Sequence, residues 1–196
     1  MMTVLFQGFE ALKERDPMEE MLILVDEKDN PIGTGEKMDV HRRGLLHRCF
    51  SIFVFDKSGR VMMQKRAERK YHSGGLWTNT CCGHPRATEN IADAAHRRLF
   101  EEMGFDCELD AAFTFIYRAQ LDQGLTEHEF DHVFVGTFES AISPNPEEAD
   151  GYDWERVPRV LEDMRARPER YTVWSIIAFG KLIEKYPSGI PGRASW

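Results

Sequence analysis

The sequence is short of four things, and each shortage closes off a class of protein. Only 4 cysteines occur in 196 residues. Cys49, Cys81, Cys82 and Cys107 show no Cys-x-x-Cys spacing, which argues against a zinc ribbon and a disulfide framework alike. Basic residues are outnumbered, 25 Lys and Arg against 33 Asp and Glu, for a net charge of -8 and a pI near 5.4. A general nucleic-acid surface needs the opposite balance. No apolar run approaches the roughly 20 residues of a membrane-spanning helix. The N-terminus lacks the basic-then-apolar order of a secretion signal, and the tail PSGIPGRASW carries no lipidation motif. Repeats, heptads and low-complexity blocks are also missing. The expectation is a cytoplasmic chain with reduced thiols, whose 42% hydrophobic residues furnish one core.

Apolar and alternating runs at MLILVDE, CFSIFVFD, RVMMQKR, AAFTFIYRAQ and HEFDHVFVGTFE predict strands, with a turn at Asp56-Lys57-Ser58-Gly59. Helical spacing predicts a helix over Asn90 to Met103, stopped by Gly104, a short one around Val157 to Arg165 and a longer one from Tyr171 to Lys185. The fold class expected is α+β, a single domain with a mixed β-sheet packed between helices. Residues 21–186 form that domain, residues 1–20 a flexible extension or partner-binding arm, and residues 187–196 an irregular C-terminal tail.

The stretch Gly83 to Phe105 carries the most chemistry. Gly83, Glu89, Arg97, Leu99, Glu101, Glu102, Gly104 and Phe105 stand in the register of the Nudix box, which the segment resembles. Arg98 departs from it, standing where the hydrolases of that family carry a metal-binding Glu. Arg98 and Glu102 are four apart on one helical flank, placed to grip a metal-diphosphate group from two sides. The ordinary reading of the pair alone is an intrahelical ion pair.

The preceding segment GLWTNTCCGHP, followed by a box with Arg at this position, resembles type I isopentenyl diphosphate isomerase. The likeness runs from about Met21 to Lys185. GEKMDVHRRGLLHRCFS supplies Lys37, His41 and His47; KRAERKYHSGGLWTN supplies Arg66 and Lys70; FIYRAQLDQGLTEHEFDHVF supplies Tyr117, Glu127 and Glu129; Trp174 stands in the place of an active-site indole. The resemblance implies a Nudix-like domain that interconverts isopentenyl and dimethylallyl diphosphate, adding a proton at one carbon and removing one from another.

It further implies that Cys82 and Glu129 form the acid/base pair, with Tyr117 assisting. Trp174 would lie beside the carbocation, where an indole face is worth on the order of 2 kcal/mol. Lys37, Arg66, Lys70 and Arg98 would neutralise the phosphates. A divalent ion is expected on His41, His47, His84, Glu127 and Glu129, with Cys82 at its margin, and a magnesium brought with the diphosphate near Glu102. Alternation along EHEFDHVFVGTF puts Glu127 and Glu129 on one face of a strand and His128 and Phe130 on the other. Three imidazoles with two carboxylates suit manganese, zinc or iron better than calcium. For His72, His96, His128 and His132 the expected roles are at the surface or behind the ligands; Cys81 reads as inert core, and Trp77 and Trp154 as packing or pocket wall. The partners implied are a small isoprenyl diphosphate, with no nucleic acid and no membrane, and a monomer or weak dimer. A Nudix hydrolase acting through activated water and a catalytically silent binding module are the competing readings.

Overall fold

The computed structural model describes residues 21–70, 72–193 and 195, so the expected extension over residues 1–20 lies outside the described residues. In chain order the elements begin with β1 (Met21–Val25), β2 (Pro31–Glu36), α1 (Lys37–Arg43), β3 (His47–Phe55) and β4 (Arg60–Arg66). They continue with β5 (Trp77–Thr78), β6 (Cys81–Gly83), α2 (Ile91–Met103), β7 (Leu109–Gln120) and β8 (Thr126–Thr137). The last are β9 (Ala149–Arg156), α3 (Val157–Ala166) and α4 (Val173–Lys185).

All nine strands join one mixed sheet around β3. The HRCFSIFVF run of β3 is apolar on both faces along its second half, the pattern of a strand covered on both sides. Strand β8 pairs with it in parallel from His47↔Glu129 to Phe55↔Thr137. The other edge of β3 meets β1 at His47, β6 at residues 50–52 and β4 at Phe55. Strand β7 folds back antiparallel on β8, and β9 and β5 pair with β4.

Two cores flank the sheet. Phe53, Phe55, Val133 and Val135 face α3 and α4, where Phe53 stacks on Phe179 with ring centroids 5.5 Å apart. Phe50, Ile52, Val54 and Phe134 face Ala94, Ala95, Leu99 and Met103 of α2. This is the expected α+β sandwich, with the box helix on the sheet. Residues 187–193 are irregular but packed: Ile190 enters the first core, and Arg193 donates to Asp110 Oδ2 at 2.6 Å and Val135 O at 3.2 Å. No helix among the described residues is long and apolar enough to cross a membrane.

The helix boundaries follow local chemistry. Asn90 caps α2 by accepting from Ala92 N at 2.8 Å, and Thr172 caps α4 by accepting from Ser175 N. Both predicted helices therefore start one or two residues late, with the cap outside. Elements β2, β5, β6, α1 and β9 were not expected. Helix α1 has little apolar periodicity and is fixed instead by the Glu36 carboxylate, which accepts from Met38 N and Asp39 N at 2.8 and 2.7 Å, and by Gly44 in the left-handed region.

Gly104 ends α2 at φ 74°, and a Cβ there would lie 2.3 Å from the Ser143 carbonyl oxygen. A left-handed L-residue costs about 1–2 kcal/mol before any clash. Gly104→Ala is expected to lose about 2 kcal/mol or more of unfolding free energy in urea denaturation, consistent with that penalty plus a displaced backbone. A loss within experimental error would show that the 143–145 loop is free to yield.

Candidate active site

Strand pairing builds the site in rows on one face of the sheet. Tyr117, Glu129 and His47 are cross-strand partners on β7, β8 and β3. The next row sets Phe115, Asp131 and Cys49 side by side, and Ser51 of the following row pairs with Cys82 of β6. Farther along β3 the same face becomes core at Phe53 and Phe55. Glu127 and Glu129 are both buried on this face, while His128 turns away and hydrogen-bonds the Gly44 carbonyl at 2.9 Å. His41 arrives from α1 and His84 from the end of β6.

Donor atoms of His41, His47, His84 and Glu129 all lie within 4.8 Å of one another. The His41 Nδ1 lies 2.6 Å from Lys37 O and the His47 Nδ1 2.9 Å from Leu45 O. A carbonyl only accepts, so in each ring Nδ1 carries a proton, and in the neutral form that a metal requires Nε2 presents a lone pair. Those lone pairs point at carboxylates: His41 Nε2 is 3.1 Å from Glu127 Oε2 and His47 Nε2 3.5 Å from Glu129 Oε1. Both Nε2 atoms and Glu127 Oε2 are buried without a hydrogen bond. Buried acceptors facing acceptors call for a cation between them, and backbone-oriented imidazoles are the usual support of a metal ligand. The donor set thus fits a divalent metal.

Cys82, Glu129, Trp174, Arg66 and Lys70 open on one cavity of about 680 Å³. Glu127, Glu102 and Cys82, all expected as metal ligands, lie outside the four-residue convergence: Glu127 borders it, facing His41 Nε2 at 3.1 Å, and Cys82 lies one row beyond Cys49. Glu102 is on α2 with its carboxylate taken up by Arg98 (2.6 Å) and Gln64 (2.9 Å). Arg98 also reaches Glu101 at 2.8 Å and Glu148 at 3.2 Å, and Lys70 pairs with Glu148. Arg98 and Glu102 therefore clasp each other in this structure and do not stand open as two sides of a grip. Arg97 binds Glu89 through two nitrogens, at 2.6 and 2.7 Å, tying the box loop to its helix.

Burial sets most of the protonation states. It pushes the Cys82 thiol up to about 12, with the Glu102 charge adding to the effect, so the sulfur is a neutral thiol. Burial likewise raises the Tyr117 phenol, then Glu129 raises it further; the phenol donates to Glu129 Oε2. For Glu129 burial works upward, but the imidazoles of His47 and His84 beside it outweigh burial and hold the carboxyl well below its ordinary range. Burial and the Glu129 charge lift Asp131 to about 8, and burial followed by repulsion from Lys70 and Arg98 lowers Lys37.

Two further residues belong here that the sequence reading did not place. Asp131 extends the Glu127, Glu129 alternation by one step, a signal that was present, and accepts from Ser51 Oγ at 2.8 Å. His72, expected at the surface or behind the ligands, is instead buried and lines the cavity, edge-on to Trp174 with centroids 5.5 Å apart. No spacing pointed to it, because it sits in a loop whose path is set by tertiary contacts. The guanidinium of Arg66 lies 5.1 Å above the Trp174 ring. Trp77 and Trp154 pack against the two cores, and Cys81 is fully buried in the second.

Comparison with known proteins supplies independent relations. The NUDIX domain description matches residues 45–174. A protein of Aromatoleum aromaticum named isopentenyl-diphosphate Delta-isomerase 2 is 54% identical over 166 residues, covering 85% of this chain and 88% of its own. An isopentenyl-diphosphate Delta-isomerase of Burkholderia multivorans is 52% identical over 179 residues, 91% and 98% of the two chains. Among solved structures, DR0079 from Deinococcus radiodurans superposes with a TM-score of 0.70 at 17% identity, over 83% of this chain and 98% of that one. The MutT protein of Methanosarcina mazei Go1 gives 0.59 at 14%, over 74% and 96%. These two establish a shared fold.

Calorimetric titration with zinc or manganese should show one site per chain on the converging imidazoles. His47→Ala should weaken it by more than about 100-fold, since outer-shell changes alone reach that order; unchanged affinity would place the ion elsewhere.

His72 supplies a pH test on metal-free protein. Burial, then the Arg66 and Lys37 charges, pushes its imidazole down to about 3. Unfolded His takes up its proton near pH ~6.5 and the native ring only near 3, so the unfolded state binds more protons between them. The contribution is complete above the unfolded value and drains away as pH falls. Metal-free wild type should lose unfolding free energy relative to His72→Phe as pH is lowered from about 6.5 to 4; parallel curves would contradict the assignment.

Proposed function

The chain belongs to the isopentenyl-diphosphate Delta-isomerases of the Nudix superfamily, and from that premise we propose that it interconverts isopentenyl and dimethylallyl diphosphate with Cys82 and Glu129 as its proton-transfer pair. One observation carries the proposal: a thiol on one edge of β3 and a carboxylate on the other open into a single cavity that also holds an indole and a cluster of cations. A hydrolase needs an activated water and a leaving phosphate. A double-bond shift needs two proton-transfer groups on opposite sides of a small hydrocarbon, and an anchored charged tail.

Lys37, Arg66, Lys70 and Arg98 anchor the diphosphate and thereby set the position of the five-carbon unit; a magnesium brought with the diphosphate would be held near Glu102 and would supply further positive charge to the phosphates. His41, His47, His84 and Glu129 would hold a divalent ion, manganese or zinc by the donor chemistry, which would supply positive charge beside the Glu129 carboxylate. One group of the pair delivers a proton to the terminal alkene carbon, which leaves a tertiary carbocation, and the other removes a proton from the carbon on the far side. One proton enters and one leaves, so the substrate's composition is unchanged. The roles of Cys82 and Glu129 exchange when the reaction runs backwards, as microscopic reversibility requires. Tyr117 holds Glu129 through its donated hydrogen bond. Trp174, buried in the cavity wall, offers its indole to the cation. The enzyme so described is cytoplasmic, acts on a small-molecule diphosphate and works as a monomer or weak dimer.

Purified metal-loaded protein incubated with isopentenyl diphosphate should yield the dimethylallyl isomer without free phosphate. Cys82→Ala and Glu129→Gln should each lower kcat by about 100-fold or more, the scale of a lost acid/base group. Phosphate release as the sole reaction, or full activity in either variant with metal retained, would overturn the assignment.

A further inference from the structure

Trp174 does not hold its own orientation. Its indole Nε1 donates to Thr78 Oγ1 at 3.0 Å, and Thr78 lies 96 positions away in sequence, on the short strand β5. The surrounding hydrogen bonds have a single consistent direction. Asn79 Nδ2 faces two carbonyls, Cys81 O at 2.6 Å and Ile52 O at 3.3 Å, so the amide nitrogen must donate there and Oδ1 must be the acceptor. Thr78 Oγ1, 3.0 Å from that Oδ1, therefore spends its one proton on Asn79. Its two lone pairs are left to accept from Trp174 Nε1 and from the Thr172 hydroxyl, 2.9 Å away. Thr172 in turn caps α4, accepting from Ser175 N at 3.4 Å, and its own N–H donates to Trp77 O at 2.9 Å. Thr78, Asn79 and Thr172 are completely buried, so water cannot replace any of these partners.

The hydroxyl of Thr78 sits where three constraints meet: the indole on α4, the cap that starts α4, and an amide clamped to the backbone of β6 beside Cys82. We propose that Thr78 is a positioning residue for the isomerisation, fixing the indole plane of Trp174 relative to the Cys82 strand. The proposal rests on the functional reading given above. Without the hydroxyl the buried N–H has no acceptor, and the ring is free to turn between the Arg66 guanidinium and the His72 edge that border it. Substrate anchoring is elsewhere in the cavity and does not involve Thr78, so the loss appears in turnover.

The test compares Thr78→Val, which keeps the shape and removes the hydroxyl, with Thr78→Ser, which keeps the hydroxyl. The indole 1H–15N resonance of Trp174, identified by its absence in Trp174→Phe, should shift and exchange faster with solvent in Thr78→Val and stay in place in Thr78→Ser. Thr78→Val should lower kcat by about tenfold to a hundredfold, the scale of a small misplacement of a reacting geometry. Its KM should stay within about twofold, and Thr78→Ser should recover most of the turnover. In a Trp174→Phe background, where no N–H needs holding, Thr78→Val should add less than about a twofold loss. An unmoved indole resonance in Thr78→Val, or the same fold-loss in both backgrounds, overturns the proposal. If the wild-type protein fails to isomerise isopentenyl diphosphate, the functional reading falls, and the indole resonance still decides the positioning role.

Discussion

The parallel pairing of β8 with β3, in the register that sets Glu129 beside His47, is the constraint on which the site depends. Side chains alternate along a strand, so a slip of one residue would turn Glu127, Glu129 and Asp131 into the core beneath α2 and present His128 and Phe130 to the imidazoles. The polar residues cannot fix that register themselves, because at close range they repel as readily as they attract. The apolar ends of the same strands fix it. Phe53, Phe55, Val133 and Val135 must meet α3 and α4 while Phe50, Ile52 and Phe134 must meet α2, and only one alignment satisfies both faces. The chemistry occupies one end of a strand pair whose other end is locked by packing.

Charge in the cavity is arranged by the same economy. In a chain with net charge -8, the cations facing the cavity are not surplus. Arg98 is shared among Glu101, Glu102 and Glu148, and Lys70 also leans on Glu148. Acidic partners let several cations sit close together in a half-buried place, where unshielded neighbours of like sign would be costly. Arg97 and Glu89 do different work, since their two-pronged bond holds the box loop against α2 and leaves the cavity to others.

How much of this was legible follows from which physical signal each residue carries. Period and alternation gave β1, β3, β4, β7, β8 and helices α2, α3 and α4, because burial on one or two faces writes itself into the order of apolar residues. The box, the Cys-Gly-His-Pro segment and the Glu-x-Glu pair were readable as motifs. Helix α1 was not, being defined by a carboxylate cap and a left-handed glycine, with little apolar rhythm. Strand β2 is exposed and rich in glycine, and β9 is polar, so neither stands out from loop. His72 and Thr78 escaped for a different reason. Their importance lies in contacts with Trp174, about a hundred residues away, and no local pattern encodes a partner at that distance. The mutual clasp of Arg98 and Glu102 is the opposite case: four-residue spacing brings the pair together and leaves open whether they turn to each other or to a third party.

Three acidic side chains stand at every second position on one buried face, Glu127, Glu129 and Asp131, and they cannot all ionise in a medium that solvates charge so poorly. Their surroundings separate them. His84 bonds to Glu129 and the His47 ring stands beside it, and together they keep it a carboxylate against the pull of burial, so that its charge weighs on both neighbours. Burial first and Glu129 second raise Glu127 and Asp131, the latter to about 8, so at neutral pH Asp131 tends to keep its proton while sharing a hydrogen bond with Ser51. Identical chemistry at three positions is thereby divided into one held charge and two reluctant ones by what each faces across the sheet. In the proposed reaction, the carboxylate that would bind a cation and also exchange a proton is the one kept ionised. The row that contains it sets the Tyr117 phenol, which donates to it, on one side and His47 on the other.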